Sequence, residues 1–220
     1  RPNGDIRLMR ISILASLTLS ALVASIGVTR AFDVGTTPTA STATSQKRIA
    51  VGDTAPAFSL SDETGATVAF PAPHPRTTVL VFYRGSWCPF CARQLSELRG
   101  LVKDGEGVDL YAISIDPTAK SAVLSGRIGH DGKGALGYRL LSDPDHRTID
   151  AYGLHDERYD GSEYAGIPRP AVVVVDSTNR VSWVRISEDY KIRPSVAEIR
   201  SAIDAASGPS PGAMSWNREQ

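Results

Sequence analysis

Cysteine is nearly absent from this chain: its 220 residues hold two, Cys88 and Cys91. That excludes the disulfide framework of a small secreted domain, and a zinc site built on the pair would need two further ligands. Histidine is scarce as well. His74, His130, His146 and His155 are the whole supply, and no two of them stand at a metal-ligand spacing. An excess of one charge is missing too, since 24 basic residues balance 24 acidic ones. A neutral chain has no electrostatic footprint for nucleic acid or for an anionic membrane surface, so no nucleic-acid partner is expected. The chain shows no internal repeat, and its 41% hydrophobic content supports one sizeable core.

The N-terminal stretch is different. Arg7 and Arg10 precede an uncharged run from Ile11 to Val28, and Thr29-Arg30-Ala31 follows with small residues where a signal peptidase reads. This tripartite pattern predicts a secretory signal over residues 1–31, cleaved after Ala31. The rival reading is an uncleaved membrane tether through residues 11–28, a run at the lower limit for spanning a bilayer. Loss of residues 1–31 takes four arginines and one aspartate, leaving a net charge of −3. Export points to the periplasm of a bacterium, to secretion or to an inner-membrane anchor, all outside the cytosolic thiol buffer.

Residues 32–46 are rich in Thr, Ser and Ala and read as a disordered linker, with a domain over 47–208 and a disordered Pro/Gly/Ser tail over 209–220. Within the domain, Phe58 and Leu60 alternate with polar residues, Asp62-Glu-Thr-Gly65 turns, and Val68 and Phe70 resume the alternation, predicting a β-hairpin. Thr78 to Tyr83 is a continuous apolar run, typical of a strand covered on both faces. A helix after Cys88 carries Leu95, Leu98, Leu101 and Val102 on one stripe. A strand over Val108 to Ile115, a helix from Thr118 to about Arg127, a short strand over Tyr138 to Leu141 and a helix from Asp143 through Tyr152 follow. Ala171-Val-Val-Val-Val-Asp176 reads as a central strand and Val181 to Ser187 as its antiparallel neighbour. Ser195 and Glu198 form a capping box that opens a last helix with Ile199, Ala202, Ile203 and Ala206 on its apolar face. Buried runs alternating with helices imply an α/β fold with a mixed sheet and helices on both faces.

The chemistry centres on Trp87-Cys88-Pro89-Phe90-Cys91. Pro89 suits the first helical position, which puts Cys88 at the N-cap and Cys91 at the third residue. Unpaired backbone N–H groups and the positive end of the helix dipole there favour thiolate, the nucleophilic form. A static disulfide is the plain alternative, but so short a loop gains little in the chain-entropy account. Elsewhere, His146 reads as a surface histidine. His155, Asp156, Glu157 and Asp160 make a polar loop whose spacing fits no cation-ligand rule.

Four segments in this order carry a resemblance: Val51-Gly-Asp-Thr-Ala-Pro-Ala-Phe58, Phe82-Tyr-Arg-Gly-Ser-Trp-Cys-Pro-Phe-Cys91, Leu141-Ser-Asp-Pro-Asp145 with Ala151-Tyr-Gly153, and Pro170-Ala-Val-Val-Val-Val-Asp176. Over residues 48–206 the chain resembles the thioredoxin-fold superfamily, and within it the alkyl hydroperoxide reductase/thiol-specific antioxidant group, the peroxiredoxins and peroxiredoxin-like proteins. The resemblance implies a three-layer α/β/α sandwich with a mixed central sheet and an N-terminal β-hairpin extension. It also implies that Pro170 is a cis-proline facing the dithiol, the alternative being a trans proline opening a strand. Arg84 and Arg169 are expected near the sulfurs, with Trp87 packing beside the site and Tyr83 either at the site or in the core. Peroxiredoxins place Tyr-Pro before a Thr and then the peroxide-attacking cysteine. Here Tyr83 matches, Arg84 replaces the proline, Cys88 holds the Thr position and Gln94 stands where an acid is common. By that alignment Cys91 attacks and Cys88 resolves. By thioredoxin logic the roles reverse, although Phe82 replaces thioredoxin's buried acid.

The function implied is a thiol-dependent antioxidant oxidoreductase that reduces hydroperoxides through a Cys88/Cys91 dithiol–disulfide cycle. It would need no cofactor, and an external thioredoxin-like dithiol would serve as reductant. The alternatives are a periplasmic thiol–disulfide oxidoreductase acting on protein disulfides, and a redox-inert binding domain with a static disulfide.

Overall fold

The structure, a computed structural model, describes residues 47–103 and 106–208. The expected signal or tether, the linker and the C-terminal tail lie outside the described residues. Seven strands form one mixed sheet: β1 (Phe58–Ser61), β2 (Thr67–Phe70), β3 (Thr77–Phe82), β4 (Val108–Ser114), β5 (Arg139–Ser142), β6 (Ala171–Val175) and β7 (Val181–Ile186). The helices are α1 (Pro89–Glu97), α2 (Thr118–Gly129), α3 (Arg147–Ala151) and α4 (Val196–Ser207), with a 3-10 turn at Glu157–Tyr159. The sheet order is β2-β1-β5-β4-β3-β6-β7, with β3, β4 and β5 parallel and the other pairs antiparallel. This is the thioredoxin-like α/β architecture, with the expected element order.

Strand β3 lies inside the sheet between β4 and β6, and all six of its residues are apolar or threonine and buried. Its side chains alternate between two cores. Val79, Val81 and Tyr83 join Leu95 of α1, Leu124 and Ile128 of α2, and Ile199 and Ile203 of α4. Leu80 and Phe82 join Ile149 of α3, Tyr152, Phe58 and Phe70 on the other face. The β1–β2 hairpin pairs Phe58 with Phe70 and Leu60 with Val68, and the two phenylalanine rings stack at 5.1 Å. Its turn is organised by the buried Asp62, which accepts hydrogen bonds from the Thr64 and Ala66 N–H groups and pairs with Arg139 at 2.6 Å. At the other end, Ser195 and Glu198 close the expected capping box on α4.

Two expectations are corrected. Helix α1 stops at Glu97, so Leu98, Leu101 and Val102 pack from the turns beyond it rather than from the helix itself. Helix α3 starts at Arg147, later than the sequence suggested, because His146 sits at its N-cap in the left-handed region with φ 47°. Leu95 is wholly buried where α1 meets the sheet. Leu95→Ala is expected to cost about 2–5 kcal/mol, read as a lowered midpoint in denaturant unfolding of the reduced protein.

Candidate active site

Strand β3 ends at Phe82, and the loop Tyr83–Trp87 carries the chain to the start of α1. Gly85 has φ 149°, and a Cβ there would lie 2.6 Å from Trp87 Nε1, so both the backbone turn and the indole require glycine. The loop is pinned from two sides: the Ser86 N–H donates to the Asp116 carboxylate, and Arg127 Nη2 donates to the Ser86 carbonyl at 2.8 Å. Cys88 is then the N-cap, Pro89 the first helical residue and Cys91 the third, as the spacing predicts.

Both cysteines are free thiols, 1% and 0% exposed. Their environments push them apart. The Cys88 thiol is lowered to about 6, chiefly by a hydrogen bond from the Cys91 thiol, and further by the Cys91 backbone N–H and the charges of Arg84 and Arg193; burial opposes these. The Cys91 thiol is pushed up, first by the same hydrogen bond and then by burial. The two thiols are therefore unequal, Cys88 favoured toward the thiolate and Cys91 toward the thiol.

Arg84 is 5% exposed, and its guanidinium lies over three rings: Trp87 at 4.8 Å, Tyr159 at 4.7 Å and Tyr190 at 4.3 Å. Trp87 is 43% exposed and packs on Tyr164 with ring centroids 4.5 Å apart. Phe90 meets Tyr190 edge to face. Three separate segments thus build an aromatic collar around one cation beside the sulfurs: the loop after β3, the 155–167 strap and the turn after β7. Tyr83 is fully buried in the sheet core, where burial raises its phenol and keeps it neutral.

The residue that sequence reasoning missed is Arg193. Its Nη2 lies 3.7 Å from the Cys91 sulfur, and its Nε donates to Gln94 Oε1 at 2.9 Å. Gln94, one helical turn after Phe90, is buried and holds the guanidinium in place. Nothing in the local sequence marks this contact, because 102 residues separate Arg193 from Cys91. Arg169, expected near the sulfurs, is engaged elsewhere: it donates to the His155 carbonyl and faces Asp156 at 3.8 Å and Glu188 at 3.6 Å. The cis-proline expectation is also corrected. Among the described residues the one cis peptide is Phe70–Pro71, so Pro170 is trans. Pro170 stands immediately before β6, where a missing N–H costs the ladder nothing, and its carbonyl accepts from Ser187 N–H at 2.8 Å.

A buried, unequal dithiol at a helix N-terminus on a thioredoxin-like sheet defines a thiol oxidoreductase. Comparison with known proteins agrees. The model of the AhpC/TSA family matches residues 51–184. A Mycobacterium tuberculosis protein with a peroxiredoxin name is 30% identical over 158 residues, covering 71% of this chain and 96% of that protein. Peroxiredoxin Bcp of Escherichia coli K12 is 30% identical over 143 residues, 64% of this chain and 86% of its own. The crystal structure of peroxidoxin BcpB from Mycobacterium tuberculosis superposes with a TM-score of 0.57 at 25% identity, covering 71% of this chain and 95% of that one. The chain belongs to the AhpC/TSA family, and it is an oxidoreductase of the peroxiredoxin type.

The pH dependence follows from the unequal pair. Alkylation of the reduced protein should reach half its maximal rate near pH 6, against about 8.5 for an ordinary thiol, and Arg193→Gln should move that point upward. The folded value lies below the unfolded one, so Cys88 ionisation stabilises the reduced fold fully above pH ~9 and ceases to do so below about 6. Thermal melts of the reduced form, but not of a disulfide form, should show that gain between these limits.

Proposed function

We propose that this protein is a thiol peroxidase that reduces hydroperoxides with Cys88 as the attacking thiolate and Cys91 as the resolving thiol. The observation that carries this reading is the lowered Cys88 thiol beside a protonated Cys91 at the N-terminus of α1. The Cys88 thiolate attacks one oxygen of the O–O bond. A C–S–O linkage forms, the O–O bond breaks, and the departing alkoxide takes a proton to leave as alcohol or water. Cys91 sulfur then attacks the Cys88 sulfenic acid, expelling water and forming the disulfide. An external thioredoxin-like dithiol returns two electrons and two protons, restoring the pair.

The assignment runs opposite to the one that positional matching with peroxiredoxins suggests, where Cys91 attacks. Electrostatics favour Cys88, whose thiol is lowered while that of Cys91 is pushed up. Burial of both sulfurs favours a small peroxide over a folded protein's disulfide, which has to bring its own sulfur into line with the thiolate. Action outside the cytosol belongs to the same proposal and rests on the charge and hydropathy pattern of residues 1–31.

Stoichiometric peroxide consumption by the reduced protein tests the roles. Cys91→Ser should consume one equivalent quickly and stop at a sulfenic acid. Cys88→Ser should react at least about 30-fold more slowly at neutral pH, as expected when the thiolate fraction falls to that of an ordinary thiol or less. A fast Cys88→Ser variant with an inert Cys91→Ser would reverse the roles. Inertness of the wild type toward peroxide, with reduction of insulin disulfides, would instead make it a protein thiol–disulfide oxidoreductase.

A further inference from the structure

Away from the dithiol, the fold gathers two of the four histidines. His146 caps α3, Asp150 lies one turn along it, and His155 follows on the strap that leaves the helix. One donor atom from each lies within 4.8 Å of the others. His146 Nδ1 is 2.8 Å from Asp150 Oδ2, and His155 Nδ1 is 3.2 Å from Asp150 Oδ1. We propose that His146, Asp150 and His155 form a binding site for a divalent transition-metal ion of the zinc class, with Asp160 orienting His155.

Three observations support it besides proximity. First, Asp150 Oδ1 is shielded from solvent and makes no hydrogen bond; the His155 nitrogen stands 3.2 Å away without hydrogen-bond alignment. A tetrahedral ion with bonds of about 2.0–2.2 Å spaces its donors about 3.3–3.6 Å apart, close to this separation. Second, His155 meets a carboxylate at each ring nitrogen, since its Nε2 lies 2.8 Å from Asp160 Oδ1. A neutral imidazole has a single N–H, so one of these two contacts needs a further cation, either a second proton or a metal ion. Metal on Nδ1 and N–H on Nε2 bonded to Asp160 is the carboxylate–histidine–metal arrangement that fixes a ligand's tautomer. Third, the His146 ring is held in place. Its backbone is in the left-handed region, and a Cβ at Gly166 would lie 2.7 Å from its Cδ2, so glycine there leaves room for the imidazole.

The donor set suits zinc-class ions: two imidazoles and one carboxylate, with a fourth position left for water. With neutral imidazoles the two carboxylates bring two negative charges to the site. Asp156, in the same loop, takes no part because Arg158 binds both its oxygens. A bound ion would tie α3 to the strap that carries Tyr159 and Tyr164, the rings facing Arg84 and Trp87.

Cobalt(II) absorption and zinc calorimetry on the full chain, wild type and Cys88→Ser/Cys91→Ser, test the site. One ion per chain is expected, with a ligand-field spectrum free of thiolate charge transfer and retained in the cysteine-free variant. His146→Asn, which tolerates the left-handed backbone, and His155→Gln should abolish uptake while far-UV circular dichroism stays unchanged. Asp160→Asn, which keeps all three ligands, should weaken affinity about 10–100-fold. Zinc should raise the melting temperature of wild type but not of His155→Gln. No saturable uptake, uptake that disappears with the cysteines, or uptake that survives both histidine variants would overturn the site.

Discussion

Pro89 at the first helical position is the constraint on which the site depends. A proline there has no N–H to waste and carries the φ that starts a helix, so α1 begins at Pro89 and leaves Cys88 as its N-cap. From that one placement follow Cys88 at the start of α1 and the position of Cys91 one helical turn on, while the turn before them needs Gly85. Strand β3, inside the sheet between β4 and β6, supplies the anchor. Because β3 is buried on both faces, the loop it feeds has little freedom to move, and Asp116 and Arg127 remove the rest.

Burying a thiolate is costly unless positive charge is held nearby. The protein places two arginines there and, among the described residues, pairs neither with a carboxylate. Arg84 is held by three aromatic faces and Arg193 by the neutral oxygens of Gln94, Tyr190 and Ile192. Their charge therefore remains available to the sulfurs rather than being cancelled by an acid. Aromatic rings are well suited here, since they hold a guanidinium by quadrupole attraction and exclude water without offering a counter-ion. The same two cations explain why a neutral glutamine at position 94 works in this site. An acid in that place would form an ion pair with Arg193 and weaken its effect on the dithiol.

The strap between α3 and β6 links the two polar centres of the molecule. It carries His155 at its start, Tyr159, Asp160 and Tyr164 along its middle, and at its end Arg169, which bonds back to the His155 carbonyl. Arg169 thereby braces the strap from within, a structural use of a residue that family resemblance places at the sulfurs. Pro170 likewise opens β6 as an ordinary trans proline.

Much of the fold is written in local pattern. The two-residue alternation at Phe58, Leu60, Val68 and Phe70, the continuous apolar runs of β3 and β6, and the Ser195–Glu198 box each depend on neighbours a few residues away, so each reads directly from the chain. The same holds for Cys88, Pro89 and Cys91, whose roles at the helix start follow from spacing alone. What the chain could not display is any relation made by folding over long separations. Arg193 reaches Cys91 across 102 residues, Arg84 gains two of its three aromatic partners, Tyr159 and Tyr190, from distant segments, and His155 meets His146 only because α3 ends and the chain turns back. Hydrophobic period and capping act between near neighbours, whereas the fields that set the charge of a buried sulfur act through space, and space is assigned by how the sheet and helices pack.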